Sequence, residues 1–126
     1  MLRKVLVADD EAAIRALILA SLSRTNRGRY EVLMARDGEE ALYIAQRENP
    51  ALIILDVRMP KLNGFEVCGR LKSAPGTGHI KVFILSATAS PADRDAAREA
   101  GADDYLLKPI TPKELQEKVE AGLGLT

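Results

Sequence analysis

Short runs of aliphatic and β-branched residues recur along the chain, each followed by a turn signal and then by apolar residues at helical spacing. Residues 4–8 lead into Ile14, Leu17, Ile18 and Leu22, which share one helical stripe, and residues 30–35 lead into a helical segment over 38–46. The most apolar run, 51–55, precedes a helix over 64–72; the run 81–85 precedes one over 91–100, and 104–107 precedes 112–121. The pattern predicts a strand and then a helix, five times over. Helix starts carry a small polar residue with an acid three places on, a pair able to satisfy the N–H groups left open at a helix N-terminus. Asp37 with Glu40, Asn63 with Glu66, Ser90 with Asp93 and Thr111 with Glu114 all fit. Pro91 and Pro112 fall at the first helical position, where a missing N–H costs nothing. Gly101, Gly122 and Gly124 suit helix exits, and the segment 73–79, with Pro75, Gly76 and Gly78, reads as the most mobile connection.

Strictly alternating strands and helices imply a parallel sheet, and right-handed crossovers put helices on both of its faces. Central strands are then buried on two sides, which accounts for Ile53, Ile54 and Leu55 showing no polar alternation. Ligands in such α/β sheets bind outside the carboxyl ends of the strands, near the point where strand order reverses. Chemistry is to be sought at that edge.

Composition narrows the classes of function. At 126 residues the chain fits one domain, expected over 1–126. Eighteen basic residues balance eighteen acidic ones, so bulk charge gives no reason to expect direct nucleic-acid binding or an anionic membrane. Unbroken apolar runs reach five residues, as in 51–55, against the ~20 that a membrane-spanning helix needs. Asp9 and Asp10 also cut short the apolar stretch behind Arg3 and Lys4, so it does not read as a secretory signal. One cysteine, Cys68, cannot form an internal disulfide, and with one histidine, His79, no Cys/His zinc site can be assembled. A reducing cytoplasm is the expected location. Cys68 reads as a small core residue and His79 as a solvated loop residue, which weakens any catalytic scheme built on a histidine relay.

Four predicted strand ends carry polar residues beyond what capping requires. The first ends in Asp9 and Asp10, the third in Asp56, the fourth in Ser86, and the fifth is followed by Lys108. If strands one, three, four and five are neighbours, three carboxylates, a hydroxyl and an ammonium meet at one rim. Adjacent carboxylates raise one another's pKa unless a cation sits among them. A hard, oxygen-liganded ion such as Mg²⁺ answers that need, since it takes one or two carboxylates and keeps water or phosphate oxygens elsewhere. Taken singly, Asp10 could cap the first helix, Ser86 could be a turn residue, Lys108 a surface charge and Tyr105 edge-strand packing. Asp56 closing an otherwise apolar strand is harder to explain that way, because an unpaired buried charge is costly.

These residues, in this order, resemble the CheY-like receiver domains of two-component response regulators. The resemblance rests on Asp9-Asp10, on Asp56-Val57-Arg58-Met59-Pro60 with Asn63-Gly64, on Ser86-Ala87 and on Lys108-Pro109, and it covers essentially the whole chain. It implies a flavodoxin-like (βα)₅ fold with strand order 2-1-3-4-5. It further implies that Asp56 accepts a phosphoryl group from a sensor histidine kinase or histidine phosphotransfer protein, with Mg²⁺ held by Asp9, Asp10, Asp56 and the backbone carbonyl of Arg58. Lys108 and Ser86 would contact the phosphoryl oxygens, Ser86 and Tyr105 would form the switch, and Lys108-Pro109 would be a cis peptide. The fourth helix, fifth strand and fifth helix would be the output and dimerisation face. With no effector domain after Thr126, output is expected through a downstream protein or a domain absent from this sequence. Asn63 where the family often has Asp, and Ser86 in place of Thr, are mild departures; Arg58 and Thr88 fall at variable positions that influence phosphoryl lifetime.

Other classes fit less well. A haloacid-dehalogenase-like phosphohydrolase needs a second acid two residues after its nucleophile, where this chain has Arg58. A flavodoxin would hold phosphate in a first loop that here is Asp9-Asp10-Glu11. A pseudo-receiver used only for docking would have lost members of a set that is intact.

Overall fold

A computed structural model describes residues 3–26 and 28–125, so Met1, Leu2, Arg27 and Thr126 of the expected 1–126 domain lie outside the described residues. Strands β1 (Arg3–Ala8), β2 (Tyr30–Ala35), β3 (Leu52–Asp56), β4 (Lys81–Ser86) and β5 (Asp104–Leu107) alternate with five helices. These are α1 (Ala12–Asn26), α2 (Gly38–Glu48), α3 (Gly64–Ser73), α4 (Pro91–Ala100) and α5 (Pro112–Leu123). Every strand pairing is parallel, and the order across the sheet is β2-β1-β3-β4-β5. The flavodoxin-like arrangement expected from the sequence is therefore the one observed, with strand order reversing between β1 and β3.

The two-residue period of the strands sorts the core into two layers. Leu6, Ala8, Ile53, Leu55, Val82 and Ile84 pack on one face with Ala41, Ala45, Val67, Cys68 and Leu71 from α2 and α3. Val5, Val7, Leu52, Ile54, Phe83 and Leu85 pack on the other with Ile18, Leu22, Leu115 and Val119 from α1 and α5. Burying aliphatic side chains of this size contributes roughly 1.5–3 kcal/mol each, so the central strands form the rigid base on which the polar edge stands.

All four predicted N-caps hold, with Asp37, Asn63, Ser90 and Thr111 each accepting the N–H three residues on. Only Asn63 and Glu66 complete the reciprocal box. Elsewhere the acid finds another donor: Glu40 takes the Arg36 N–H, and Asp93 takes the Thr88 hydroxyl. Gly101 and Gly124 end helices with positive φ. Gly122 does not; it lies within α5, where an added Cβ would meet the Phe83 ring at 2.9 Å. Segment 73–79 is tied down by the buried Thr77, whose hydroxyl donates to the Leu71 carbonyl at 2.8 Å. Leu17, expected on the buried stripe of α1, is instead 63% exposed, because α1 is apolar on more sides than the sheet can cover. At the far end of the molecule Lys72 donates to the Ile80 carbonyl and to Asp103, which also takes the Val82 N–H, joining the end of α3 to the α4–β5 turn.

The Glu40 N–H held by Asp37 keeps that carboxyl below the usual carboxylate range, against a smaller upward push from burial. Replacing Asp37 by alanine is expected to cost about 1–2 kcal/mol in urea unfolding at neutral pH, and by asparagine much less. Because the folded pKa is depressed, the charge-dependent part of this contribution is complete above the ordinary value of about 3.9 and disappears as pH falls through the lower folded value. The gap between wild type and Asp37→Ala should narrow there, leaving the part that a neutral side-chain oxygen still supplies, as in the asparagine variant.

Candidate functional site at the carboxyl edge of the sheet

Register alone brings the polar strand ends together. Ala8 pairs with Leu55, so Asp9 and Asp56 leave neighbouring strands at the same level. Asp56 pairs with Leu85, which puts Ser86 beside it, and Ser86 pairs with Leu107, which puts Lys108 one step beyond. Backbone bonds extend the ladder past the strand ends: Val57 N–H donates to the Leu85 carbonyl at 3.3 Å and Lys108 N–H to the Ser86 carbonyl at 2.7 Å. The Lys108-Pro109 peptide is cis.

Carboxylate oxygens of Asp9, Asp10 and Asp56 lie within 4.8 Å of one another. Asp9 and Asp56 are buried and Asp10 is exposed. The Lys108 ammonium reaches into this cluster, 2.8 Å from Asp56 Oδ1 and 3.4 Å from Asp9 Oδ2. Burial raises the Asp56 carboxyl above its usual range; the Lys108 hydrogen bond opposes this, and the charge of Asp9 adds to it. Burial pulls the Lys108 ammonium down, yet the bond and charge of Asp56, with Asp9, outweigh it and hold it above the ordinary lysine value. Asp9, not Asp10, serves the start of α1, its Oδ1 accepting the Glu11 N–H at 2.9 Å. Asp10 is thereby left to face the cluster.

A shallow pocket of about 220 Å³ is lined by Asp10, Glu11, Asp56, Arg58, Ser86 and Lys108 among others. Ser86 is buried, and its Oγ accepts the Thr88 N–H at 3.2 Å. Tyr105 stands farther out on β5, half-buried, with its hydroxyl donating to the Thr88 carbonyl at 2.7 Å and the Arg94 guanidinium 5.0 Å over its ring. Beside Lys108 an apolar groove of about 410 Å³ runs between α1 and the start of α5, past Leu17, Ala87, Pro109 and Ile110.

Sequence reading had given no site role to three contributors, although Gly64 was quoted within the Asn63-Gly64 motif. Arg15 donates to the Asp9 carbonyl at 2.7 Å and steadies the acid loop from α1. Gly64 lies so close to β3 that a Cβ would stand 2.5 Å from the Asp56 carbonyl oxygen. Gly38 carries the loop after β3 on its bare backbone. A glycine directly behind a helix cap is the one signal that could have pointed to the last two.

Three acids and a lysine meet at the switch point of a five-stranded parallel sheet, a group of carboxylates that could hold a metal ion. The model of the response regulator receiver domain matches residues 5–120, and the chain belongs to this family. Its members act as phosphorylation-activated switches in two-component signalling, a switching role and not that of a conventional enzyme. Among similar proteins, "Probable transcriptional regulator ycf27" of Cyanophora paradoxa is 45% identical over 98% of this chain and 49% of its own length. The alkaline phosphatase synthesis transcriptional regulatory protein PhoP of Bacillus subtilis is 42% identical over 96% of this chain and 48% of its own length. The chain thus spans about half the length of these curated relatives. Among solved structures, chemotaxis protein CheY4 of Vibrio cholerae superposes with a TM-score of 0.87 at 32% identity, over 96% of this chain and 98% of that one. The receiver domain of the sensor histidine kinase PA1611 from Pseudomonas aeruginosa, described with a magnesium ion coordinated in its active-site cleft, gives 0.88 at 27% identity over 98% and 99%. Among the described residues no helix is long and apolar enough to cross a membrane.

Removing the ammonium leaves Asp9 and Asp56 facing each other out of water. Lys108→Met is expected to lower stability in chelator-treated buffer by roughly 3–5 kcal/mol, the scale of breaking a buried pair on one side. Added Mg²⁺ should restore part of the loss, and urea titrations with and without the ion measure both effects.

Proposed function

We propose that residues 1–126 form one receiver domain of a cytoplasmic two-component regulator in which Asp56 is the phosphoryl acceptor. The observation that carries this reading is the Asp56 carboxylate itself: buried at the end of β3, beside two further acids, and held by the Lys108 ammonium at 2.8 Å. A carboxylate oxygen of Asp56 attacks the phosphorus of a phosphohistidine on the donor. An O–P bond forms, the P–N bond breaks, and its electron pair leaves with the imidazole nitrogen, giving an acyl phosphate. The same oxygens fit a hard divalent cation, since three carboxylates against one ammonium leave an excess of negative charge. Asp9, Asp10, Asp56 and the carbonyl of Arg58 would hold Mg²⁺. When bound it supplies the positive charge that phosphoryl transfer asks for around the equatorial oxygens. Lys108 adds its own charge to that side, and the Ser86 hydroxyl donates to a phosphoryl oxygen. No general acid stands two residues after Asp56, where Arg58 is exposed, which disfavours the phosphohydrolase alternative.

Ser86 turning toward the phosphoryl group gives up the Thr88 N–H it now accepts, and the loop that Tyr105 holds by the Thr88 carbonyl is released or reset. Ser86, Tyr105 and residues 87–100 are the reporting element, and α4, β5 and α5 the face that a downstream partner, a missing effector domain or a second copy would read. Relatives twice as long that are transcriptional regulators support an effector domain. The donor is a sensor histidine kinase or a phosphotransfer protein. It has to bring its phosphohistidine over the rim, and the apolar groove beside Lys108, with Leu17 exposed on its wall, would receive it.

Incubation with Mg²⁺ and acetyl phosphate should add a single phosphoryl group by intact mass to the wild-type chain and none to Asp56→Asn. Absence of uptake from both small donors and phosphorylated kinase would favour a docking module instead. Tyr105→Phe should take up the group normally while the change in hydrogen exchange over 87–100 on phosphorylation is diminished.

A further inference from the structure

Glycine is a poor choice for the first position of α2. It disfavours helix by about 1 kcal/mol relative to alanine in a helix interior, and Gly38 has no positive φ that would call for it. Space explains its presence. A Cβ on Gly38 would overlap the carbonyl oxygen of Leu62 and stand 2.6 Å from the Leu62 Cβ. The loop from Val57 to Asn63 therefore lies directly on the N-terminus of α2, and its inward carbonyl, that of Pro60, takes N–H groups from both Leu62 at 2.9 Å and Gly38 at 3.5 Å. The Pro60–Leu62 bond closes a tight three-residue turn around Lys61, whose φ of 73° is one that an ordinary side chain rarely adopts. Lys61 Nζ then lies 3.7 Å from both Asp37 and Glu39, tying the tip of the loop to the first turn of α2.

Both ends of this loop are fixed. Asp56 is held in β3, and at the other end Asn63 and Glu66 exchange two capping bonds while Gly64 N–H donates to the Val57 carbonyl at 3.0 Å. A push on residues 60–62 cannot be absorbed by α3. Through Met59, buried between this tip and Arg58, it has a route to the Arg58 carbonyl of the proposed cation site.

We propose that Gly38 is a positioning residue for that site: α2 presents a side-chain-free seat on which the 57–63 loop rests, and this sets the place of the Arg58 carbonyl relative to the three acids. The inference rests on the reading of Asp9, Asp10 and Asp56 as a Mg²⁺ site. It makes α2, which contributes no ligand, a determinant of cation affinity.

The test is Mg²⁺ titration of the full chain by calorimetry, with amide chemical shifts of residues 56–60 as a second readout. Gly38→Ala should weaken Mg²⁺ binding by on the order of tenfold, the scale seen when groups supporting metal ligands are altered. Val119→Ala, in the opposite core layer, should lower the melting midpoint yet leave Mg²⁺ affinity within about twofold, because stability alone is not what the seat provides. The double variant Gly38→Ala/Leu62→Gly removes the Cβ at 2.6 Å and lets the carbonyl turn aside. It should fold and return to within about twofold of Leu62→Gly alone, a comparison that stands even if Gly38→Ala by itself does not fold. Wild-type binding with unchanged affinity in Gly38→Ala, or a double variant no better than the single, overturns the positioning role alone. Wild type with no saturable Mg²⁺ response overturns the cation site, and this inference with it.

Discussion

One ammonium shared by two buried carboxylates is the interaction on which the rest of the molecule turns. Lys108 reaches Asp56 at 2.8 Å and Asp9 at 3.4 Å in a place where Asp9 is only 1% exposed. Charges so placed have lost most of their water, and their attraction must offset that loss. It does so only in part, since a third acid, Asp10, stands at the same cluster. The edge is left short of positive charge, which the proposed cation would supply, and through it and Lys108 the proposed phosphoryl group would be held.

Everything around this edge serves to keep it from relaxing. Parallel register sets Asp9, Asp56, Ser86 and Lys108 on neighbouring strand ends, and a slip of one residue in any pairing would turn that strand's side chains to the opposite face. Both faces of the central strands are packed with aliphatic side chains, so such a slip has nowhere to go. Outside the sheet the loops are held by polar bonds: Arg15 on the Asp9 carbonyl, the Asn63–Glu66 box, and the Pro60 carbonyl over Gly38. A rigid sheet with hydrogen-bonded loops lets one edge remain electrostatically unfavourable without the fold giving way.

Much of this could be read from residues in order, and the reason is that local signals and global fold agree. The five strand-helix units and the caps at Asp37, Asn63, Ser90 and Thr111 follow from periodicity and turn chemistry, the strand order came only with the resemblance to receiver domains, and the structure has them all. The polar strand ends were visible because Asp56 breaks an apolar run without a local reason. What escaped the sequence reading depends on contacts between segments distant along the chain. Leu17 matches the buried stripe of α1 yet faces outward, because the sheet covers only part of an unusually apolar helix. Gly122 looks like a helix exit and is a packing site for Phe83. Asp93 and Glu40 look like reciprocal caps, and their carboxylates are taken by Thr88 and by the Arg36 N–H. Segment 73–79 looks loose, and one buried threonine hydroxyl fastens it.

The bridge from Lys72 to Asp103 bears on how a signal could travel. Asp103 is bonded at once to Lys72 and to the Val82 N–H, and Lys72 also grips the Ile80 carbonyl, so the C-terminal end of α4 is moored to α3 and β4. Its N-terminal end hangs from the Thr88 hydroxyl on Asp93 and from Tyr105 on the Thr88 carbonyl, bonds that are exposed to solvent. A helix fastened so unequally is a lever with its fulcrum near Gly101. On the proposed switch, a small rearrangement at Ser86 would be converted into a swing of the near end, largest at Pro91 and dying away toward the anchored end.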